Sequence, residues 1–316
     1  MMTNIRKNLC KYPGGTIIIG KWQNKKYHLL KELGSGANGV VYLAKESSRH
    51  VALKMSMDSY SITSEVNVLK ALAKVQGYAL GPFLYEMDDW DVGSKKIHFY
   101  VMEYINGPDL LSFVSQKGRV WAGIMVLQLL DILERLHKQG WIFGDLKPEN
   151  LIVTGPTPHI RCIDVGGTTM NGRAVKEFTE FYDRGYWELG SRKADIQYDL
   201  FSTAMLIINL YYPKRFVKKE GGIKQLQRMI SLKDDLIHLE PILNKALHGE
   251  YQSALAMKSE LLAYLSDSPV RSKQRQSPMQ TRQLGKKKKR GSFLETMAVI
   301  LVTLSLYAFY IYSRVF

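Results

Sequence analysis

The stretch Asp145-Leu146-Lys147-Pro148-Glu149-Asn150 decides the fold of this chain of 316 residues. It lies between an amphipathic helical pattern, Asp131 to Gln139, and a short β-prone run, Leu151 to Val153. A carboxylate in such a loop can accept a hydroxyl proton, a lysine can neutralise a phosphoryl group in transfer, and an asparagine can bind a metal. The alternative, a simple Asx/Pro turn with surface charges, accounts poorly for all six residues, so the pattern predicts phosphoryl transfer.

Three charged residues elsewhere extend this pattern. Asp164 opens the triplet Asp-Val-Gly after a strand at Ile160 to Ile163, and a carboxylate there can hold Mg²⁺ between phosphates. Lys54 ends an apolar strand and can hold nucleotide phosphates as a compact charge, although such a lysine commonly only extends to solvent. Glu65 lies on a helix predicted from Ser61 to Lys74, with Ser61 or Thr63 as its cap, and can fix Lys54 by an ion pair.

A glycine-rich run, G-x-G-x-x-G-x-V, lies between two predicted strands, Tyr27 to Leu33 and Val40 to Ala44. In a dinucleotide-binding fold the third glycine would open a helix, so this context instead favours a hairpin flap whose backbone approaches phosphates. A plain glycine-rich hairpin remains the alternative. The predicted nucleotide-binding residues of this loop are Leu33, Gly34, Ser35, Gly36, Ala37, Asn38, Gly39, Val40 and Val41.

The order of glycine loop, strand lysine, helix glutamate, catalytic loop and metal aspartate resembles the eukaryotic-like (Hanks-type) serine/threonine protein kinases, over roughly Tyr27 to Leu265. The resemblance implies an α+β, bilobal protein-kinase-like fold. A β-rich N-lobe with one main helix would cover 20–105, and a helical C-lobe would cover 106–265. The implied activity is transfer of the γ-phosphoryl group of ATP to Ser/Thr hydroxyls of unidentified protein substrates, with Mg²⁺ or Mn²⁺ as the metal.

The same resemblance implies roles for particular residues. Backbone groups of the hinge at 102–105 would hold adenine, and a helix aspartate would brace the catalytic loop. The implied residues are Asp145 and Lys147 for catalysis; Asn150 and Asp164 for metal; Lys54, Glu65, Glu103 and Tyr104 for ATP besides the glycine loop; and Phe143, Glu188 and Asp199 for structural support.

Several positions depart from the family pattern. The usual His-Arg-Asp is Phe143-Gly144-Asp145, and Gly144 cannot supply the arginine that pairs with an activation-loop phosphate. We therefore do not expect activation by loop phosphorylation in the usual manner. The usual Ala-Pro-Glu is Tyr186-Trp187-Glu188, which keeps only the acid. These departures leave two alternatives open, a membrane-tethered pseudokinase that binds nucleotide without transfer, and a small-molecule kinase on the same fold.

Charge is concentrated near the C-terminus. The chain has 44 Lys and Arg against 29 Asp and Glu, a net charge of +15, of which 266–291 carries +8. This Ser-, Gln- and Lys-rich stretch lacks aromatic residues and predicts a basic flexible linker at 266–292. It could attract anionic lipid, bind nucleic acid through 271–290 by phosphate contacts alone, or serve only as a solvated spacer. Binding of either anion could regulate the kinase, and linker serines such as Ser266, Ser268, Ser272 and Ser277 could be sites of autophosphorylation.

The last segment is apolar. Residues 296–312 hold 17 residues without charge, and 20 helical residues span about 30 Å, so we predict a single C-terminal transmembrane helix at 293–313. Lys286 to Arg290 precede it, which places the catalytic part in the cytoplasm by the positive-inside rule. This order resembles small membrane-anchored bacterial kinases, such as the sporulation-associated kinase of bacilli. The oligomeric state cannot be predicted from the sequence.

Overall fold

The computed structural model describes residues 10–36, 38–73, 81–212, 214–219 and 221–267, which belong to a compact unit that ends at Asp267. Its first part is a β-sheet with one helix, and its second part is mostly helical. The predicted two-lobed α+β plan is therefore confirmed for these residues.

Six of the described strands form one antiparallel sheet in the order β1-β2-β3-β4-β6-β5. Buried and less buried residues alternate along β3 from Gly39 to Ala44, which gives the sheet one apolar face. This face packs into a core with Tyr27, Leu29 and Phe99. The strands are β1 Ile17–Ile19, β2 Lys26–Gly36, β3 Gly39–Glu46, β4 Arg49–Ser56, β5 Leu84–Val92 and β6 Lys95–Glu103. The sequence patterns predicted β2, β3 and β4, the strand that carries Lys54, whereas β1 and β5 were not foreseen.

The two edges of this sheet are joined by the turn that follows β1. The backbone N–H of Lys21 donates to the carbonyl of Asp89 in β5 at 2.8 Å, and the N–H groups of Trp22 and Gln23 donate to the Asp88 carboxylate, each at 3.0 Å. Edge strands expose unpaired backbone groups, so this turn pairs polar groups that β5 would otherwise present to solvent.

Helix α1, Ser59–Leu72, packs on the sheet through an apolar face that includes Ile62, Val66 and Leu69. Its cap is Asp58, whose side chain accepts from the N–H of Tyr60 at 3.0 Å. The prediction of Ser61 or Thr63 as the cap was wrong, because the helix begins two residues earlier, where an aspartate satisfies the first free N–H groups.

The second part is built around two long helices, α3 (Val120–Lys138) and α4 (Ile196–Tyr211). All residues of α4 from Tyr198 to Leu210 are buried, so this apolar helix belongs to the core. The remaining helices are α2 Leu110–Lys117, α5 Gly222–Ser231, α6 Asp234–Ile237, α7 Glu240–Leu247 and α8 Ala254–Asp267. Short pairs complete this part: β7 Trp141–Ile142 with β10 Thr169–Met170, and β8 Leu151–Thr154 with β9 His159–Cys162.

Helix α8 runs through Asp267, so the first two residues of the predicted linker are helical. The rest of that linker and the predicted membrane segment at 293–313 lie outside the described residues. Among the helices that the structure describes, none combines the length and apolar character needed to cross a bilayer.

Candidate active site

The site lies where the sheet, α1 and the loops after β7 and β9 converge. Lys54 is on β4 and Glu65 is on α1, and both side chains are buried. The Lys54 ammonium Nζ lies 2.6 Å from Glu65 Oε2, and the Tyr100 hydroxyl donates to the same oxygen at 2.8 Å. The predicted pairing across 11 residues is therefore present, and Tyr100, which the sequence analysis did not foresee, holds the carboxylate from β6.

Asp164 approaches this pair from the loop after β9. Its Oδ1 lies 3.9 Å from Lys54 Nζ and accepts the N–H of Gly166 at 3.0 Å, while 42% of the side chain stays exposed. Burial alone would lower the pKa of Lys54, but the negative charges of Asp164 and Glu65 raise it overall. Lys54 therefore remains a cation although its side chain is buried.

The catalytic loop gathers its polar side chains around Asp145, which is buried. Lys147 Nζ donates to one carboxylate oxygen, and the Thr179 hydroxyl donates to the other at 3.1 Å. The side-chain N–H of Asn150 donates to the Asp145 carbonyl at 2.9 Å, which closes the loop. Thr179 comes from a segment 34 residues away and was missed, because no local spacing relates it to Asp145.

Asp199 braces this loop from within α4, as the family resemblance implied. Its carboxylate accepts the backbone N–H groups of Phe143 and Gly144 at 2.8 and 2.9 Å and contacts His137 Nε2 at 2.8 Å. Gly144 has φ +82°, and a Cβ there would lie 2.7 Å from the Gly167 carbonyl. Position 144 therefore requires glycine. The neighbouring Phe143, which was predicted to give structural support, is buried in the core.

The hinge is tied to the second lobe by an arginine that was not foreseen. The Arg161 guanidinium donates to both oxygens of Glu103 at 2.9 and 3.2 Å and to the Gly81 carbonyl at 3.2 Å. Burial raises the pKa of Glu103, but the bonds from Arg161 and the Phe83 N–H outweigh it and lower that pKa. The Glu103 side chain thus clamps the hinge, which leaves only its backbone for the adenine contact that was predicted. Tyr104 is half-buried and donates its hydroxyl to Asn106 at 3.2 Å.

The glycine loop forms the hairpin between β2 and β3, as predicted. Gly39 has φ +138°, and a Cβ there would come 2.2 Å from the Met55 carbonyl. At Gly34 and Gly36 an added Cβ would meet nothing within 4 Å. Both glycines therefore leave open space beside the backbone. The other described loop residues, Leu33, Ser35, Val40 and Val41, are in the two strands. Ala37 lies outside the described residues.

A further acid, Glu177, reaches into this space from the segment after Asp164. Its carboxylate accepts the side-chain N–H of Asn38 at the tip of the glycine loop. A Cβ on Gly166 would lie 3.0 Å from Glu177 Oε1 and 3.2 Å from Asp164 Oδ1. Burial and the neighbouring Asp164 charge raise the pKa of Glu177. No motif in the sequence pointed to this residue.

The family resemblance implied a supporting role for Glu188, and the structure gives this residue an ion pair at the surface. It is largely exposed, and its carboxylate pairs with Lys218 at 2.7 Å. The buried acid of this segment is Asp183, which accepts the Tyr198 hydroxyl at 3.0 Å and pairs with Arg192 at 2.7 Å. Asp183 therefore ties this segment to the core, whereas Glu188, five residues later, lies at the surface.

The donor set at Asp164 and Asn150 fits a hard divalent cation. Mg²⁺ is commonly bound by one or two carboxylates together with substrate phosphates, and one exposed carboxylate plus one amide matches that demand. Within the described part of the chain, no group of three or more His, Cys, Asp or Glu is arranged to hold a metal without such help. A cation here would thus depend on nucleotide phosphates for its remaining ligands.

Comparisons with known proteins agree with this geometry. A family model described as "Protein kinase domain" matches residues 27–281. The chain is 49% identical over 323 residues to serine/threonine-protein kinase YabT of Bacillus subtilis, covering 96% of each chain.

Two solved structures share the fold. The structure of vaccinia related kinase 3 matches with a TM-score of 0.61 at 18% identity, covering 84% of this chain and 96% of that one. The PknI kinase domain of Mycobacterium tuberculosis matches with a TM-score of 0.58 at 17% identity, covering 81% and 99%.

Proposed function

Because this chain belongs to the protein kinase family and is a serine/threonine protein kinase, we propose that the site described above binds ATP and transfers its γ-phosphoryl group to protein Ser/Thr hydroxyls. The observation that carries the proposal is the convergence of Lys54, Asp164 and Asp145 from three separate elements. Asp164 lies 3.9 Å from Lys54. The adjacent glycines Gly166 and Gly167 border Asp164 and Asp145, since an added Cβ would lie 3.2 Å from the Asp164 carboxylate and 2.9 Å from the Asp145 Cβ, respectively. Phosphoryl transfer needs mainly positioning and charge neutralisation, which these groups supply.

Nucleotide binding involves both lobes. The open backbone at Gly34 and Gly36 lets phosphates approach closely, and Lys54 neutralises part of their charge. The hinge backbone around Glu103 and Tyr104 receives the adenine. Asp164 and Asn150 would hold Mg²⁺, or Mn²⁺, which screens the charge of the phosphates.

In the transfer itself the acceptor oxygen forms a bond to the γ-phosphorus while the bond from phosphorus to the β–γ bridging oxygen breaks, releasing ADP. Asp145 accepts the hydroxyl proton, and Lys147 offsets charge on the moving phosphoryl group. The Thr179 hydroxyl donates to one oxygen of Asp145 and so helps to fix the orientation of that carboxylate.

The test is the Asp145→Asn variant of the full chain in detergent, assayed with radiolabelled ATP and a generic protein substrate. We expect nucleotide affinity close to that of the parent and loss of phosphoryl transfer by about a hundredfold or more, the scale of a lost general base. Asp131→Asn, which removes only a partly exposed pair with Lys258, is the matched control. Equal labelling by parent and Asp145→Asn would reject the assignment.

The pseudokinase alternative predicts a different result in the same assay. It would show nucleotide binding in a thermal-shift measurement but no labelled product from the parent chain. The complete set of polar groups at the site favours a catalyst over a scaffold.

We further propose that 293–313 anchors the chain in the membrane with the kinase on the cytoplasmic side, and that the basic linker attracts anionic surfaces. Anionic lipid is the first expectation, at about 1 kcal/mol per basic residue near the membrane. Nucleic acid is the alternative, and binding to it should weaken steeply with salt. A gel-shift series with DNA across ionic strength tests the nucleic-acid alternative. An affinity for DNA that does not change with salt would contradict phosphate-driven binding.

A further inference from the structure

A basic segment borders the acceptor side of the site. The stretch 214–224, between α4 and the first turn of α5, contains five cations and one acid, Glu220. We call its basic residues the cationic shelf: Lys214, Arg215, Lys218, Lys219 and Lys224.

The shelf is held against both the catalytic loop and the segment that follows it. Arg215 pairs with Glu149, four residues after Asp145, and its guanidinium lies 5.0 Å from the ring centre of Tyr182. Phe216 packs edge-on against Phe181 with ring centres 5.1 Å apart. Since Phe181 and Tyr182 are buried and Phe216 is half-buried, these contacts give the shelf a defined place beside the loop that holds the catalytic aspartate.

Two shelf cations pair with exposed acids of this region. Arg215 forms an ion pair with Glu149, and Lys218 forms one with Glu188. Lys218 also donates to the Tyr186 carbonyl at 2.9 Å. A basic peptide would therefore find both carboxylates already paired.

The other three shelf cations have no acid within ion-pair distance among the described residues. Lys214, Lys219 and Lys224 are all exposed. The surface beside the acceptor position thus carries an excess of positive charge that nothing in the described chain offsets, which is the pattern expected of a surface complementary to an anionic partner.

We propose that the cationic shelf selects substrates in which Asp or Glu residues flank the acceptor Ser or Thr. The inference rests on the proposed function and names its substrate class as acidic protein segments. It also implies that the chain's own basic linker, with nine Lys and Arg between 266 and 291, is a poor substrate. Each exposed ion pair changes affinity by roughly a few-fold, so several together should give about tenfold discrimination.

The experiment compares three serine peptides of equal length with acidic, glutamine and lysine flanks. The full chain in detergent is assayed for kcat/KM, and binding of each labelled peptide is followed by fluorescence anisotropy. We expect the acidic peptide to exceed the lysine peptide about tenfold at low salt, with the ratio falling as ionic strength rises. Lys214→Glu/Lys219→Glu should abolish or reverse that ratio.

The control is Lys26→Glu/Lys45→Glu, which makes the same charge change at two exposed positions on β2 and β3 and should leave the ratio as in the parent. Equal kcat/KM for all three peptides, or a preference that persists in the shelf variant, would overturn the proposal and leave the shelf to another anion such as lipid headgroups. Shelf-dependent binding of the acidic peptide with no labelling of any peptide would instead retain the shelf and remove the proposed function.

Discussion

Glu177 places a carboxylate where nucleotide phosphates are expected, so replacing it should strengthen nucleotide binding. The variant is Glu177→Gln, which keeps the shape and can still accept the hydrogen bond from Asn38 but removes the charge. In the parent, a triphosphate that enters beside Lys54 and Asp164 either binds against the repulsion of this carboxylate or has to displace it.

The magnitude follows from the geometry. Glu177 Oε1 and Asp164 Oδ1 lie 3.0 and 3.2 Å from one point beside Gly166, so they are at most about 6 Å apart. Two like charges at that separation repel by roughly 3 kcal/mol at an effective dielectric constant of 20. A phosphate in the same space would experience a similar repulsion. Attraction to Lys54, solvent screening and movement of the loop reduce this repulsion. We therefore expect Glu177→Gln to improve the binding free energy of ATP by about 1 kcal/mol, or roughly fivefold in affinity.

Isothermal titration with ATP and Mg²⁺ measures the effect, with Glu180→Gln as a control in the same segment. The pH dependence gives an independent check. Because the pKa of folded Glu177 is raised above its ordinary value of 4.5, its ionised form destabilises the folded chain at neutral pH. That penalty vanishes as pH falls through the raised pKa, so the stability gain of Glu177→Gln should shrink in acid. Unchanged or weaker nucleotide binding by Glu177→Gln would refute this account and indicate that the carboxylate assists binding.

Gly144→Ala should lose about 1–3 kcal/mol of unfolding free energy in urea titration, because φ is positive there and the added Cβ meets a carbonyl; stability equal to the parent would contradict that strain. Arg161→Met should cost about 1–3 kcal/mol at pH 7, whereas Arg119→Met, which breaks an exposed pair, should cost less than about 1 kcal/mol. Arg161 helps to hold the pKa of Glu103 below its ordinary 4.5, so the stabilisation of the fold by this ion pair is present above pH 4.5 and is lost as pH falls through the lowered pKa. The unfolding free energies of the parent and Arg161→Met should therefore converge in acid. A difference that stays constant with pH would disprove the linkage. Burial raises the pKa of Cys162 to about 12, so neither of the two thiols, both buried, should react with Ellman's reagent at pH 8 until the chain is denatured; rapid reaction of either would show that it is accessible.

Much of the site was predictable because its parts are local or follow strong periodicity. The loop from Asp145 to Asn150 closes on itself within six residues, so its sequence encodes its geometry. The apolar strand that ends at Lys54 and the helix that carries Glu65 are adjacent in the chain, and a short connection brings them together. Asp199 was identified only through the family resemblance, because its contact with the loop at 143–144 is long-range and no local sequence pattern indicates it.

The amino-acid sequence by itself therefore determined the two-lobed fold and singled out the polar groups that we propose face the phosphates. Only the tertiary structure decided that Glu177 meets Asn38 across 139 residues, that Arg161 clamps Glu103 across 58, and that Asp183 rather than Glu188 is the buried acid. The physical reason is that periodicity and turn chemistry act over a few residues, whereas these contacts depend on the path of the whole chain. An acid or an arginine in a loop has the same local pattern whether it ends in solvent or in the site.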